Sequence, residues 1–278
     1  MRTHAFRAMG TDIELLLEAD DDSGAFAAAE SEFERLEQVM SRFRPDSELS
    51  RLNARGAMDV SPDLADVIGL AVAARARTGG RFDPTVHDAV AAAGYDRTFE
   101  EVEADSDAGT GSAPCGGRVE LDGLHVELEP GFRLDLGGIG KGFAAERVAE
   151  RLALAGPCLV NAGGDIALRG VPAEGVWPVG VEDGPTLGLA RAGLATSGRD
   201  RRRWRRGGRE LHHLIDPRTG TPAETDLVRV TAVGRNAVDA EVLAKVLLLG
   251  GEREAVAAGV PAVLVTADGR TVLAGGIR

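Results

Sequence analysis

Runs of apolar and polar positions divide the chain into short elements of changing period. Residues 11–19, TDIELLLEA, have the apolar content of a first strand, and a polar turn, DDDSG, follows at 20–24. Across 25–40 the period lengthens. Phe26, Phe33, Leu36 and Met40 recur at the spacing that gathers them near one face of a helix. A second helix is expected over 61–77, with Ser61 as its cap and Pro62 in its first turn. Residues 104–117, ADSDAGTGSAPCGG, are small, polar and glycine-rich, the composition of an exposed flexible loop. Two short strands should flank Gly123. Further on, the pattern predicts a helix over 144–156, a buried strand over 157–164 and a hairpin over 201–215 turning at Gly207-Gly208. A strand over 227–234, a helix over 236–250 and a terminal hairpin around Asp268-Gly269 complete the chain.

No internal repeat is visible. Helices and strands alternate irregularly, with hairpins near the end. That order predicts an α+β fold with mixed, largely antiparallel sheets and packed helices, not a doubly wound sheet. One domain over residues 1–278, open to division into two lobes, is the expected organisation.

Composition narrows the function. The net charge of −12 repels nucleic acid and anionic membranes, so an anionic ligand must meet a local patch of donors. Only two of the 32 basic residues are lysines, Lys141 and Lys245, and both fall inside the motifs below. Cys115 and Cys158 show neither metal-ligand spacing nor a disulfide framework. No apolar run reaches the 18 or so residues of a membrane span, and the first residues lack the apolar core of an export signal. A cytoplasmic protein is expected.

The strongest chemical segment is Asp135-Leu-Gly-Gly-Ile-Gly-Lys141-Gly. Glycines let backbone N–H groups approach a phosphate, a following helix N-terminus favours negative charge, and Lys141 adds a point charge. A tight structural turn explains the same residues, and the spacing is not that of a Walker loop. Val160-Asn-Ala-Gly-Gly-Asp165 is a second strand-to-turn segment, in which Asp165 can accept from ligand hydroxyls or from its own turn. Thr196 and Ser197 offer hydroxyls. His213-Leu-Ile-Asp216-Pro-Arg-Thr-Gly220 pairs an imidazole, the usual proton carrier near neutral pH, with a carboxylate that can also start a turn. His212 should face the other side of its strand. In an aromatic-poor chain, Phe43 and Phe82 can stack on a planar ring or pack in the core.

The order of these motifs is more specific than any one of them. Met9-Gly-Thr11, Ser41-x-Phe43, Ser47-Glu-Leu-Ser-x-Leu-Asn53, Phe82-Asp83-Pro84-Thr85-Val86, the glycine segment ending in Lys141, Asn161-Ala-Gly-Gly-Asp165, Thr196-Ser197-Gly198 and the His213–Gly220 segment follow one another as in the FAD:protein FMN transferase (ApbE) family. The chain resembles that family over roughly residues 8–250, as an actinobacterial-like variant. The resemblance implies a cleft that binds FAD with magnesium on its diphosphate, and transfer of FMN to a threonine or serine hydroxyl of a target protein with release of AMP. It implies that Met9, Phe43, Asn53, Phe82, Asp83, Gly137, Gly138, Lys141, Asp165, Thr196, Ser197, His213 and Asp216 bind the nucleotide. His213 and Glu241 would be catalytic, and the Gly140 carbonyl and Glu241 would be metal ligands.

One pair departs from the family pattern. Aligned on its apolar tail, the late helix carries Glu241 where an aspartate is usual and Lys245 where a threonine is usual; Asp239 is an acidic alternative that needs a two-residue shift and pairs with Leu243. An ammonium has no lone pair for magnesium. Lys245 is therefore expected to weaken or replace the metal, and an FAD-binding or carrier protein with little transfer is the competing reading. The arginine-rich stretch 199–209 resembles a nucleic-acid patch, but the overall charge and the hairpin pattern weigh against that partner.

Overall fold

The computed structural model describes residues 1–22, 24–103, 105–106 and 109–277. The chain folds into two compact units. The first unit comprises residues 1–37, 139–197 and 226–278, and the second comprises 38–138 and 198–225.

The first unit is built on an eight-stranded sheet whose strands lie side by side in chain order: Arg2–Ala8, Thr11–Leu17, Cys158–Ala162, Asp165–Arg169, Gly193–Gly198, Leu227–Gly234, Ala262–Thr266 and Thr271–Ala274. Thr11–Leu17 pairs antiparallel with both Arg2–Ala8 and Cys158–Ala162, as does Asp165–Arg169 with Gly193–Gly198 and Leu227–Gly234 with Ala262–Thr266. Along Thr11–Leu17, Ile13, Leu15 and Leu17 are fully buried while Asp12 and Glu14 are exposed. Each such leucine contributes roughly 1.5–3 kcal/mol by leaving water. The helix Ala25–Met40 buries Phe26, Ala29, Phe33, Leu36 and Met40, the face its spacing predicts. Helices Gly140–Leu152 and Ala237–Ala257 pack against the central strands. The latter is broken at Gly251 (φ 77°), where Asp226 Oδ1 accepts the Glu252 N–H at 2.9 Å and restarts the helix.

Arg2–Ala8 was not expected as a strand. It forms because Met9 (φ 53°) and Gly10 (φ 66°) make a two-residue hairpin turn of the kind that matches strand twist. Positive φ is cheap for Gly10 but costs an L-residue such as Met9 about 1 kcal/mol. Met9→Gly is therefore expected to raise stability by about 0.5–1 kcal/mol in thermal denaturation. Unchanged or lower stability would mean that contacts of the half-buried Met9 side chain outweigh the backbone strain. Strain kept at a non-glycine residue is common at ligand sites.

The second unit contains helices Glu48–Arg55, Pro62–Arg77 and His87–Ala92, with small sheets around them. Ser61 caps Pro62–Arg77 through the Leu64 N–H, and the Glu48 carboxylate in turn accepts from Ser61 N at 2.7 Å. The hairpin of Arg203–Arg206 and Arg209–His212 turns at Gly207-Gly208, both with positive φ, as the dipeptide predicts. Its buried face, Trp204 and Leu211, joins Ala89, Val90, Ala93, Tyr95 and Ile215 in a core.

Residues 104, 107 and 108 of the expected loop lie outside the described residues. Within 109–117, Gly111 N donates to the Ala92 carbonyl, and Arg75 donates to the Gly116 and Gly117 carbonyls at 2.6 Å each. Cys115 there is half-buried, which pushes its thiol up to about 11. Among the described residues no helix is long and apolar enough to cross a membrane.

Candidate active site

In the first unit, the glycine-rich segment does not end before its helix, as the sequence pattern predicts. Gly140 and Gly142 are already helical, so the helix begins four residues early. The reason is close packing. A Cβ on Gly142 would stand 2.8 Å from the Ala237 carbonyl oxygen and 3.0 Å from Glu241 Oε2, so only glycine lets the two helices approach. No side chain caps this helix locally. Instead Gly142 N donates to Glu241 Oε2 at 2.9 Å, a carboxylate placed where the helix dipole favours it.

Lys141 is held by the same arrangement. Its ammonium pairs with Asp165 Oδ2 and lies 3.4 Å from Glu241 Oε1. Asp165 follows the Gly163-Gly164 turn, which is pinned by Asn161 Oδ1 accepting the Gly164 N–H at 2.8 Å. Both carboxylates are almost wholly buried, Asp165 at 1% and Glu241 at 3% exposure. Asp165 Oδ1 has no hydrogen-bond partner. A buried acceptor left without a donor is costly, so this oxygen marks a place where a ligand hydroxyl or a water fits. Thr196 hydrogen-bonds Thr231 at 2.8 Å, Ser197 is buried beside it, and Met9 N donates to Glu37 Oε2 at 2.8 Å. Lys245 is half-buried one helical turn beyond Glu241, in the same unit as Lys141.

In the second unit the candidate residues divide between ring-bearing and structural roles. Phe43 remains half-exposed and leans on Tyr95 (centroids 5.4 Å apart), whose ring also meets His213 edge-on at 6.3 Å. His213 is half-buried. His212 is buried, takes the Leu214 N–H on Nδ1 and donates from Nε2 to the Ala223 carbonyl, and burial lowers its pKa. It is a neutral structural histidine, whereas His213 is only half-buried.

Four residues expected at the cofactor are committed to the fold in this structure. Asn53 uses both ends of its amide on Leu134, accepting its N–H and donating to its carbonyl at 2.8 Å each. Phe82 is buried in the core. Asp83 Oδ1 accepts from Thr85 N and Oγ1, and Oδ2 faces Arg75 Nε at 3.5 Å. Asp216 accepts from Arg218 N and its guanidinium, and these bonds hold its carboxyl below the usual value, present chiefly as the turn-starter its proline announces. Gly137 is exposed and donates its N–H to Asp135 Oδ1 at 2.7 Å, while Gly138 is buried behind it. Sequence reasoning missed Asp135, Arg42 and Tyr95. Only the aspartate opening the glycine run gave a signal, as a residue able to brace its own turn.

The donor set suits magnesium poorly. Six oxygen ligands in octahedral order are the ion's preference. Here both oxygens of Glu241 face N–H donors, Asp165 shares its carboxylate with Lys141, and Lys245 occupies the next helical turn.

Comparison with known proteins settles the family. The model of the ApbE family matches residues 9–263. The chain belongs to the ApbE family. It is 31% identical to the FAD:protein FMN transferase of Treponema pallidum, over 90% of this chain and 80% of that protein. It is 29% identical to the FAD:protein FMN transferase of Haemophilus influenzae, over 84% of this chain and 77% of that one. The ApbE protein of Thermotoga maritima has the same fold, with a TM-score of 0.85 at 22% identity over 98% of this chain and 96% of that chain. The mixed, mainly antiparallel α+β architecture is thus the ApbE fold.

Proposed function

We propose that this chain is a flavin transferase that moves FMN from FAD to a threonine or serine hydroxyl of a target protein. Membership of the ApbE family, with relatives named FAD:protein FMN transferase, carries the reading. The reaction breaks the bond between the FMN phosphorus and the bridging diphosphate oxygen and forms a phosphorus–oxygen bond to the acceptor hydroxyl. The hydroxyl proton passes to a base, for which His213 is the candidate, and AMP leaves. Lys141 offers positive charge to the diphosphate, and Asp165 Oδ1 offers an acceptor to a ligand hydroxyl. Phe43 offers a face for the flavin ring.

The same reading assigns the charge usually supplied by magnesium to lysine. Lys245 stands at the position where the family pattern has a threonine, one helical turn beyond Glu241, while Lys141 pairs with both buried carboxylates. One ammonium polarises a phosphate less than a divalent ion, so transfer is expected to be slow while FAD binding persists. A flavin carrier is the limiting case of this reading.

Incubating the chain with FAD and a threonine-bearing acceptor protein, with magnesium or with EDTA, tests both points. Intact-mass measurement should show one FMN joined to the acceptor, AMP should appear in equal amount, and EDTA should leave FAD binding unchanged. FAD binding without AMP or acceptor modification would favour the carrier. Strict magnesium dependence would overturn the lysine assignment.

A further inference from the structure

We infer that Arg42 is a positioning residue that sets the plane of the flavin-facing Phe43 ring and braces the glycine turn at Gly137, an inference resting on the flavin-transferase reading above. Its side chain is only 6% exposed. The guanidinium makes four contacts inside the second unit. Its Nε lies 2.9 Å from Asp135 Oδ2, and its Nη2 donates to the Tyr95 carbonyl at 2.8 Å. Its carbon sits 4.1 Å from the centroid of the Phe43 ring and 4.7 Å from that of Tyr95.

These contacts connect three separated sequence motifs. Phe43 is the neighbouring residue in the chain and remains half-exposed although backed by the guanidinium. Asp135 relays the contact twice. Its Oδ1 takes the Gly137 N–H at 2.7 Å, and its backbone N–H donates to the Pro84 carbonyl at 2.8 Å, next to Asp83. A group that merely balanced Asp135 would need no planarity. Arg42 is flat, so it lies against aromatic faces while its edge reaches the carboxylate and the carbonyl. A lysine ammonium is a point charge that can satisfy Asp135 but cannot also hold the ring plane.

That difference separates positioning from plain structural support. In Arg42→Lys the ion pair with Asp135 survives, so the melting temperature should return close to that of the parent. FAD affinity should stay weakened roughly tenfold, and the quenching of flavin fluorescence on binding should stay reduced. Arg42→Met should lose both melting temperature and affinity, with the kinetic loss falling on KM for FAD more than on kcat. If Arg42→Met does not fold, the lysine variant alone decides. FAD binding by the lysine variant equal to that of the parent, with equal quenching, would overturn the inference and leave the flavin-transferase reading standing. Failure of the parent itself to bind FAD would bring down both.

Discussion

Replacing Lys141 with methionine is expected to destabilise the fold by about 3 kcal/mol in urea denaturation and to abolish measurable FAD binding. Asp165 and Glu241 are at most 3% exposed, and Lys141 pairs with both. Removing it strands Asp165 with neither oxygen satisfied, since Oδ1 already has no partner. Breaking a buried pair costs more than the pair contributes, because a charge is left in a poorly solvated place. The lysine side chain is one-fifth exposed, which keeps the cost at the lower end of the range. The double variant Lys141→Met with Asp165→Asn should recover much of the stability, because the stranded charge is gone, and none of the FAD affinity. A loss below about 1 kcal/mol in the single variant would mean that water already screens the cluster.

Gly142→Ala should show the opposite of what helix propensity predicts. A helical glycine replaced by alanine gains about 1 kcal/mol from propensity alone. Here the new methyl would press on the Ala237 carbonyl at 2.8 Å and on Glu241 Oε2 at 3.0 Å. Backbone cannot move aside as a side-chain tip can, so overpacking of about 3 kcal/mol wins and the net loss is about 2 kcal/mol. Separating the helices also pulls Glu241 off the Gly142 N–H, so activity should fall with stability. Gly69, in the helix Pro62–Arg77, is the control. An added Cβ there meets only the tip of Leu121 at 3.4 Å, and Gly69→Ala should stabilise by about 0.5–1 kcal/mol. Equal effects at the two glycines would remove the case for close helix approach.

The cluster around Lys141 was partly legible because some residue types have few uses. Gly-Gly-Ile-Gly-Lys and Gly-Gly-Asp each mark a turn and a charge, and the structure brings Lys141 to Asp165 across 24 residues of chain. Strand alternation predicted that His212 and His213 would differ, and they do, although the strand ends at His212, which is buried, and His213 just beyond it is half-buried. The bonds that Asn53, Asp83 and Asp216 make within the fold were not legible. An amide or carboxylate in a motif reads the same whether its partner is a ligand or a backbone N–H, and only coordinates showed Leu134, Thr85 and Arg218 taking those groups. Arg42 was invisible for a related reason. Its partners Asp135 and Tyr95 lie far along the chain, and in a sequence with this many arginines nothing marks one of them.

By itself the sequence determined the elements with strong local preference: the amphipathic helix at 25–40, the capped helix after Ser61, the Gly207-Gly208 hairpin and the order of motifs that marks the ApbE family. Period, cap and turn residues act over a few positions, so a linear reading captures them. The tertiary structure alone decided where the glycine helix starts, which carboxylate caps it, and that one lysine faces two buried acids. Those outcomes depend on residues up to 100 positions apart meeting at hydrogen-bond distance, and no local preference encodes such a meeting.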